Sequence, residues 1–358
     1  MRVLHVAAGN LYGGVERILE EIARHVPPGS RHEFALSFEG RLSSGLDAAG
    51  ATRHQVGAVR FSRPLSVWRA RRRLRRLVAS ERYDAVIGHA PWAFALAAPV
   101  VRGPRKVLWA HDASPGTHWT ERRTARQHPD VAICNSRYTA NAVGAWLDGV
   151  RREVVYAPVS PALPSAATRR EVRQELGAAP DSAVIVMTSR LERWKGHLSL
   201  LGAAPALQGN WTMWIAGGTQ RPHEADYLRE LRTFAEGLAC HERIRFVGER
   251  RDIARLLAAA DIHCQPNTEP EPFGLAFVEA LHASLPVVTS DLGGVREIVT
   301  PECGVLVAAG DEAALASALQ ALIDDPSRRA ALGAAGPARA TALCDPATQV
   351  AALERALR

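Results

Sequence analysis

The sequence predicts an α/β fold made of two parallel-sheet domains, and three observations carry that expectation. A chain of 358 residues is long enough for two hydrophobic cores. A Pro- and Ala-rich stretch, Ser160-Pro-Ala-Leu-Pro-Ser-Ala-Ala-Thr168, falls near the middle and marks a boundary. Beyond it, residues 260–289 run strand, loop, helix, strand, the order of a βαβ unit. Domains are therefore expected at 1–160 and 169–344, with a last helix within 345–358.

Composition narrows the class. Apolar content of 47% and charged content of 23% are those of an ordinary globular protein. No run of eighteen apolar residues occurs, so no transmembrane helix is expected. The first residues, Met1-Arg-Val-Leu-His-Val-Ala-Ala8, enter a Gly-rich turn without the longer apolar region of a signal peptide. Cys134, Cys240, Cys264, Cys303 and Cys344 are scattered, which suits a reducing cytoplasm. Neither His-Glu-x-x-His nor Asp-x-Asp occurs, so no metal is expected. The charge is uneven. Residues 1–165 carry 24 Arg/Lys and 13 Asp/Glu, whereas residues 166–358 carry 20 and 24. Only the first half is basic, which points to an anionic partner there: nucleic acid, anionic lipid or a phosphate-rich ligand.

Taken in order, residues 2–8 read as a buried strand. Gly9-Asn-Leu-Tyr-Gly-Gly14 follows, then a helix over 15–25. This loop either cradles a phosphate at a helix N-terminus or simply needs glycine to turn. It is not Gly-x-Gly-x-x-Gly, so a dinucleotide reading is weak. Strands are expected at 33–38 and 52–56, with a short helix at 42–49 between them. Within residues 60–78, helical spacing puts Val67, Ala70, Leu74, Leu77 and Val78 on one face. Arg69, Arg72, Arg73 and Arg76 take the other. One reading is a sheet-covering helix with a solvated basic face. The other is a surface for anionic lipid formed by Arg69 to Arg76, with Phe61 and Trp68 near its edge. Nucleic acid fits poorly, because the aromatics are not interleaved as stacking platforms and no recognition motif is present. Further strands are expected at 83–89, at 105–112 with His111 at its carboxyl end, at 131–136, and at 153–158. Ser136 fits as the N-cap of the helix that follows 131–136.

In the second half, a short helix at 169–176 precedes the strand at 183–187, which runs into Thr188-Ser-Arg-Leu-Glu-Arg-Trp-Lys-Gly196, with Lys195 at the junction of this loop and a following helix. Lys195 is one of only two lysines in the chain. Arginine offers a planar fork and lysine a compact point charge, so Arg190 and Lys195 together suit a diphosphate. Strands follow at 211–217, 243–248, 261–265, 286–289 and 304–307, and helices at 312–324, from 327 onward, and at 346–357. Between the strands at 261–265 and 286–289 lies Glu271-Pro-Phe-Gly-Leu-Ala-Phe-Val-Glu279. A helix opening near Phe273, Gly274 and Leu275 presents free N–H groups and a positive dipole end. Glu279 lies about a turn in. Eight helical residues span roughly 12 Å, so Glu271 and Glu279 can address opposite ends of an extended ligand.

The run Glu271-Pro-Phe-Gly-Leu-x-x-x-Glu279-Ala, with Pro286-Val-Val and Gly293-Gly294-x-x-Glu297-Ile298, resembles the donor-site signature of retaining glycosyltransferases of the GT-B fold, family 4 (group 1). Arg190-Leu-x-x-x-Lys195-Gly is similar to that family's diphosphate clamp. The resemblance covers nearly the whole chain and is strongest over 188–300. It implies two Rossmann-like domains facing across a cleft, the first for the acceptor and the second for a UDP- or GDP-linked sugar, with the last helix packing back on the first domain. It also implies roles: Glu271 on the sugar hydroxyls, Glu279 on the ribose, His111 near the reaction centre, Gly13 and Gly14 toward the diphosphate. Several related enzymes use lipid-linked acceptors, which supports the membrane reading of the basic helix and a peripheral place on the inner face of the membrane. The chain departs from the pattern at Ser189 and Ser284, where glycine is usual, and at Ala157-Pro158-Val159 in place of Asn-Gly. The competing readings are another GT-B activity, such as a phosphorylase or sugar-nucleotide epimerase, and an inactive sugar-nucleotide-binding subunit.

Overall fold

The structure, a computed structural model, describes residues 1–162 and 166–358. The part of the expected linker at 163–165 lies outside the described residues. The chain forms two compact units, one of residues 1–160 with 344–358 and one of residues 161–343.

In the first unit, strands and helices alternate: β1 (Arg2–Ala7), α1 (Gly14–Arg24), β2 (Arg31–Leu36), α2 (Arg41–Ala48), β3 (Arg53–Gln55), α3 (Pro64–Ser80), β4 (Ala85–His89), α4 (Pro91–Ala97), β5 (Arg105–Ala110), α5 (Trp119–Gln127), β6 (Val131–Cys134), α6 (Arg137–Gly144) and β7 (Arg151–Val154). Parallel strands need a crossover between them, and this alternation supplies it. The seven strands pair in the order β3-β2-β1-β4-β5-β6-β7, all parallel. β4 and β6 are buried along their whole length, as strands of a sheet covered on both faces are.

Helix α3 buries Val67, Ala70, Leu74 and Val78 against Leu4, Val6 and Val86 of the sheet. Its opposite face leaves Arg69, Arg72, Arg75 and Arg76 in solvent, with Leu65 68% and Trp68 57% exposed. Arg71 belongs to the packing instead. Its guanidinium donates to the carbonyls of Leu96 at 3.1 Å and Ala95 at 3.0 Å. Ser136 caps α6 as expected, accepting the Thr139 N–H at 3.0 Å.

The second unit repeats the plan: α7 (Ala166–Glu175), β8 (Ala183–Thr188), α8 (His197–Ala203), β9 (Trp211–Ala216), α9 (Pro222–Glu236), β10 (Ile244–Gly248), α10 (Ile253–Ala259), β11 (Ile262–Gln265), α11 (Leu275–His282), β12 (Val287–Ser290), β13 (Gly304–Val307), α12 (Glu312–Asp324) and α13 (Pro326–Cys344). Its sheet runs β10-β9-β8-β11-β12-β13, again all parallel. Met213, Ile215, Leu231, Leu200 and Leu319 meet in its core. Arg173 is buried and ties the start of this unit together. It donates to the carbonyls of Ala259, Ala179, Pro180 and Ser182 and to the carboxylate of Asp261. The last helix, α14 (Pro346–Ala356), belongs to the first unit, with Val350 and Leu353 buried.

Four helices form where the sequence analysis assigns none: α4, α5, α9 and α10. In α4, five of seven residues are buried, so no amphipathic stripe marks it. In α5 the hydrophobic signal is weak, but His118 and Glu121 form a capping box at its start. Among the described residues, no helix is long and apolar enough to cross a membrane.

Candidate active site

In an open parallel sheet, ligands bind outside the carboxyl ends of the strands where the strand order reverses. In the second unit that point lies between β8 and β11. The loop after β8 carries Arg190 and Lys195, and the loop after β11 carries Glu271. Two close approaches fix these loops. Gly196 has φ +82°, and a Cβ there would sit 1.8 Å from the Pro266 carbonyl oxygen. The Thr268 N–H donates to the Trp194 carbonyl at 2.8 Å. Glycine at 196 thus lets one loop lie directly on the other.

The result is a contact between two residues 76 positions apart. Lys195 Nζ donates to Glu271 Oε2 at 2.6 Å, and it lies 3.7 Å from the centre of the Trp194 ring. Asn267 Nδ2 at 3.0 Å and Gln265 Nε2 at 3.3 Å donate to the same oxygen. The pair is largely withdrawn from water, at 12% and 9% side-chain exposure. Extra donors of this kind are what a desolvated carboxylate requires. The Glu271 backbone is clamped as well. Its carbonyl accepts the Gly294 N–H at 2.7 Å, and it forms a parallel bridge with Gly293. Gly293 has φ +70°, and a Cβ there would lie 2.4 Å from the Glu271 carbonyl oxygen. Gln265 and Asn267 had no role in the sequence reading. Their signal was present as two amides beside a proline at the end of a buried strand.

Beyond Glu271, Phe273 is buried and Gly274 adopts φ +106°. α11 opens at Leu275, and Glu279 is half-buried one turn in. Arg190 is partly exposed and pairs with Glu192 at 3.1 Å.

In the first unit, Gly13 caps α1 and its N–H donates to the Glu16 carboxylate at 3.0 Å, with Gly14 opening the helix. The glycine that packing demands in this loop is Gly9. It has φ +89°, and a Cβ there would lie 2.8 Å from the Phe38 carbonyl oxygen. His111 directly follows β5, and Asn135 holds its carbonyl at 2.8 Å. It is one end of a row of four buried histidines. His111 Nε2 lies 2.9 Å from His89 Nδ1, His89 Nε2 lies 2.9 Å from His5 Nδ1, and His5 Nε2 lies 2.9 Å from His32 Nδ1. His32 Nε2 then meets Glu354 Oε1 of α14 at 3.3 Å. Burial lowers the pKa of all four rings: His5 and His89 well below the usual value, and His111 to about 3. Among the described residues no three His, Cys, Asp or Glu side chains converge as metal ligands.

Comparison with known proteins decides the family. The profile of glycosyl transferases group 1 matches residues 168–339, and that of glycosyltransferase family 4 matches residues 12–163. The alpha-maltose-1-phosphate synthase of Mycobacterium tuberculosis is 30% identical over 288 residues, 72% of each chain. The chain belongs to glycosyltransferase family 4. Its two Rossmann-like parallel-sheet units are those of the GT-B fold. A GDP-mannose-dependent monoacylated alpha-(1-6)-phosphatidylinositol monomannoside mannosyltransferase of Corynebacterium glutamicum is 34% identical over 194 residues. That match covers 51% of this chain and only about half, 48%, of the relative's length. Among solved structures, Anabaena HepE in complex with UDP and glucose, or with UDP-glucose, superposes with a TM-score of 0.88 at 26% identity, covering 100% of this chain and 99% of HepE.

The four depressed histidines predict an acid-sensitive first unit. Unfolded histidines take up protons below about pH 6.5, whereas His5, His89 and His111 remain neutral when folded, so stability falls as pH drops below that value. Each neutral histidine contributes a loss of about 1.4 kcal/mol per pH unit, ending for His111 near its folded value of about 3. Denaturant titrations at stepped pH measure it, and a flat profile between pH 6.5 and 5 would contradict the burial of these rings as neutral species.

Proposed function

We propose that this family 4 glycosyltransferase is retaining and metal-independent, and moves a sugar from a nucleotide-diphosphate sugar to a hydroxyl acceptor. The observation that carries the reading is the Lys195–Glu271 pair at the switch point of the second sheet, close before the N-terminus of α11. The diphosphate is assigned to the first N–H groups of this segment, around Phe273, Gly274 and Leu275, with Arg190 and Lys195 supplying positive charge. Glu271 accepts from hydroxyls of the sugar, and Glu279 from those of the ribose. Gly13, Gly14 and His111 of the first unit are assigned to the same donor by their place in the family pattern. Departure of the diphosphate leaves an oxocarbenium-like sugar. The leaving phosphate oxygen takes the proton of the acceptor hydroxyl as the acceptor oxygen bonds to C1 on the same face. The protein's part is electrostatic: it stabilises the leaving charge and orients the sugar.

The likeness to HepE extends over the whole chain and favours a uracil nucleotide, whereas the GDP-mannose-dependent relative matches over about half. Because that relative's named acceptor is a phosphatidylinositol mannoside, a lipid-linked acceptor is the favoured class. α3 fits a membrane-surface role in that setting. Leu65, Trp68, Arg69, Arg72 and Arg76 recur three to four residues apart and form one exposed stripe. Arg71 stays with the fold, and Arg73 donates to the Val56 carbonyl at 3.2 Å, so neither is counted in the lipid-facing set. On this reading the enzyme works at the cytoplasmic face of a membrane.

UDP and a UDP-sugar are expected to raise the melting temperature without added metal, and Glu271→Ala or Lys195→Ala to lower turnover about a thousandfold in folded protein. Near-native turnover by both variants, or no shift with any nucleotide, would contradict the assignment. Replacing Arg69, Arg72, Arg75 and Arg76 by Gln is expected to weaken binding to phosphatidylglycerol vesicles by roughly a thousandfold at low salt, given about 1 kcal/mol per basic residue near an anionic surface. Unchanged sedimentation with vesicles would remove α3 from the account.

A further inference from the structure

The four histidines lie in a row because of strand register. In the first sheet, Val3 pairs with His32, His5 with Ile87, and His89 with Trp109. Each step to the next strand therefore moves two residues toward the carboxyl end. Two residues is the side-chain period of a strand, so every step stays on one face. The diagonal runs His32 on β2, His5 on β1, His89 on β4, and His111 just past β5. Adjacent rings are tilted by 14° to 34°, and their nitrogens meet edge to edge at 2.9 Å. Face stacking would not bring ring nitrogens together in this way.

The polarity of such a row is fixed by its end. A neutral imidazole has one N–H and one bare nitrogen. Each of the four contacts, counting that to Glu354, needs one proton between two heavy atoms. The Glu354 carboxylate only accepts, so His32 must donate to it from Nε2 and is bare at Nδ1. His5 must then donate from Nε2 to His32, His89 to His5, and His111 to His89. The count leaves His111 bare at Nδ1. That atom is buried and has no hydrogen-bond partner among the described residues. An unmatched buried acceptor in a native structure calls for a donor from outside the chain.

We propose that Glu354, through His32, His5 and His89, holds His111 as its Nε2–H tautomer, so that His111 Nδ1 offers a lone pair to a hydroxyl group of the donor sugar. The hydroxyl partner rests on the functional reading above; the tautomer does not. Glu354, His32, His5 and His89 are then positioning residues. They touch no ligand, and they decide whether His111 accepts or donates. The depressed pKa values fit the count, since a charged ring in the row would put two protons in one contact. His32 also lines a cavity of about 340 Å³ with Arg31, Glu33 and Thr52, which brings the far end of the row toward solvent.

The test is nitrogen-15 NMR of the histidine rings in the full-length protein, with and without UDP-glucose. In the wild type at neutral pH, all four rings are expected to be protonated at Nε2 and bare at Nδ1. A His111 ring protonated at Nδ1, or an equal mixture, would overturn the proposal without recourse to any variant. In Glu354→Leu, the His111 ring is expected to become a tautomer mixture although the residue itself is unchanged, and donor kcat/KM to fall about tenfold, the scale of one hydrogen bond, with acceptor KM unmoved. An unchanged His111 spectrum in that variant would also overturn it. If the tautomers are as stated but UDP-glucose leaves the Nδ1 resonance unmoved and no transfer occurs, the row stands, and its sugar-hydroxyl partner fails together with the functional reading.

Discussion

The second unit is organised around a carboxylate that must be held with little water near it. Glu271 meets that demand with three side-chain donors on one oxygen, and the nearest charge among them is Lys195. Breaking a buried pair of this kind by removing one partner leaves an uncompensated charge, so the surrounding loops are built to keep it intact. Gly196 allows the loop bearing Lys195 to touch Pro266, and Gly293 allows the neighbouring loop to bond the Glu271 backbone. Both glycines hold positive φ, where a side chain would be strained as well as obstructed.

The pairing also changes how the two residues are understood. Taken separately, Lys195 suits a diphosphate and Glu271 a sugar hydroxyl. The structure joins them, so a phosphate approaching Lys195 competes with a carboxylate already bonded to it. On the proposed reading, ligand binding and the orientation of Glu271 are coupled through one ammonium group. Asn267 and Gln265 donate to the same Glu271 oxygen, so the carboxylate does not depend on the lysine alone for its orientation.

Much of this was legible in the chain. The alternation of apolar runs with helical patterns marks the thirteen strands among the described residues to within a few residues, because buried parallel strands carry little else. The Gly274–Glu279 segment announced its helix, and Ser136 its cap. What was hidden depended on register and on distance in sequence. Nothing local to Lys195 names Glu271 as its partner. His5, His32, His89 and His111 show no ligand spacing, yet two-residue steps across parallel strands place them in one line. Likewise the arginines of α3 look alike in sequence. Only packing separates Arg71, which satisfies the carbonyls of Ala95 and Leu96 in α4, from Arg72 in solvent.

The central claim is a division of labour, with Lys195 serving the diphosphate and Glu271 the sugar. Calorimetric titration of UDP and of UDP-glucose into the wild type, Lys195→Ala and Glu271→Ala proteins tests it directly. The account predicts that Lys195→Ala weakens both ligands, whereas Glu271→Ala weakens UDP-glucose and leaves UDP as tight as before or tighter, because the freed ammonium no longer has a competing partner. Equal weakening of both ligands by Glu271→Ala would contradict it.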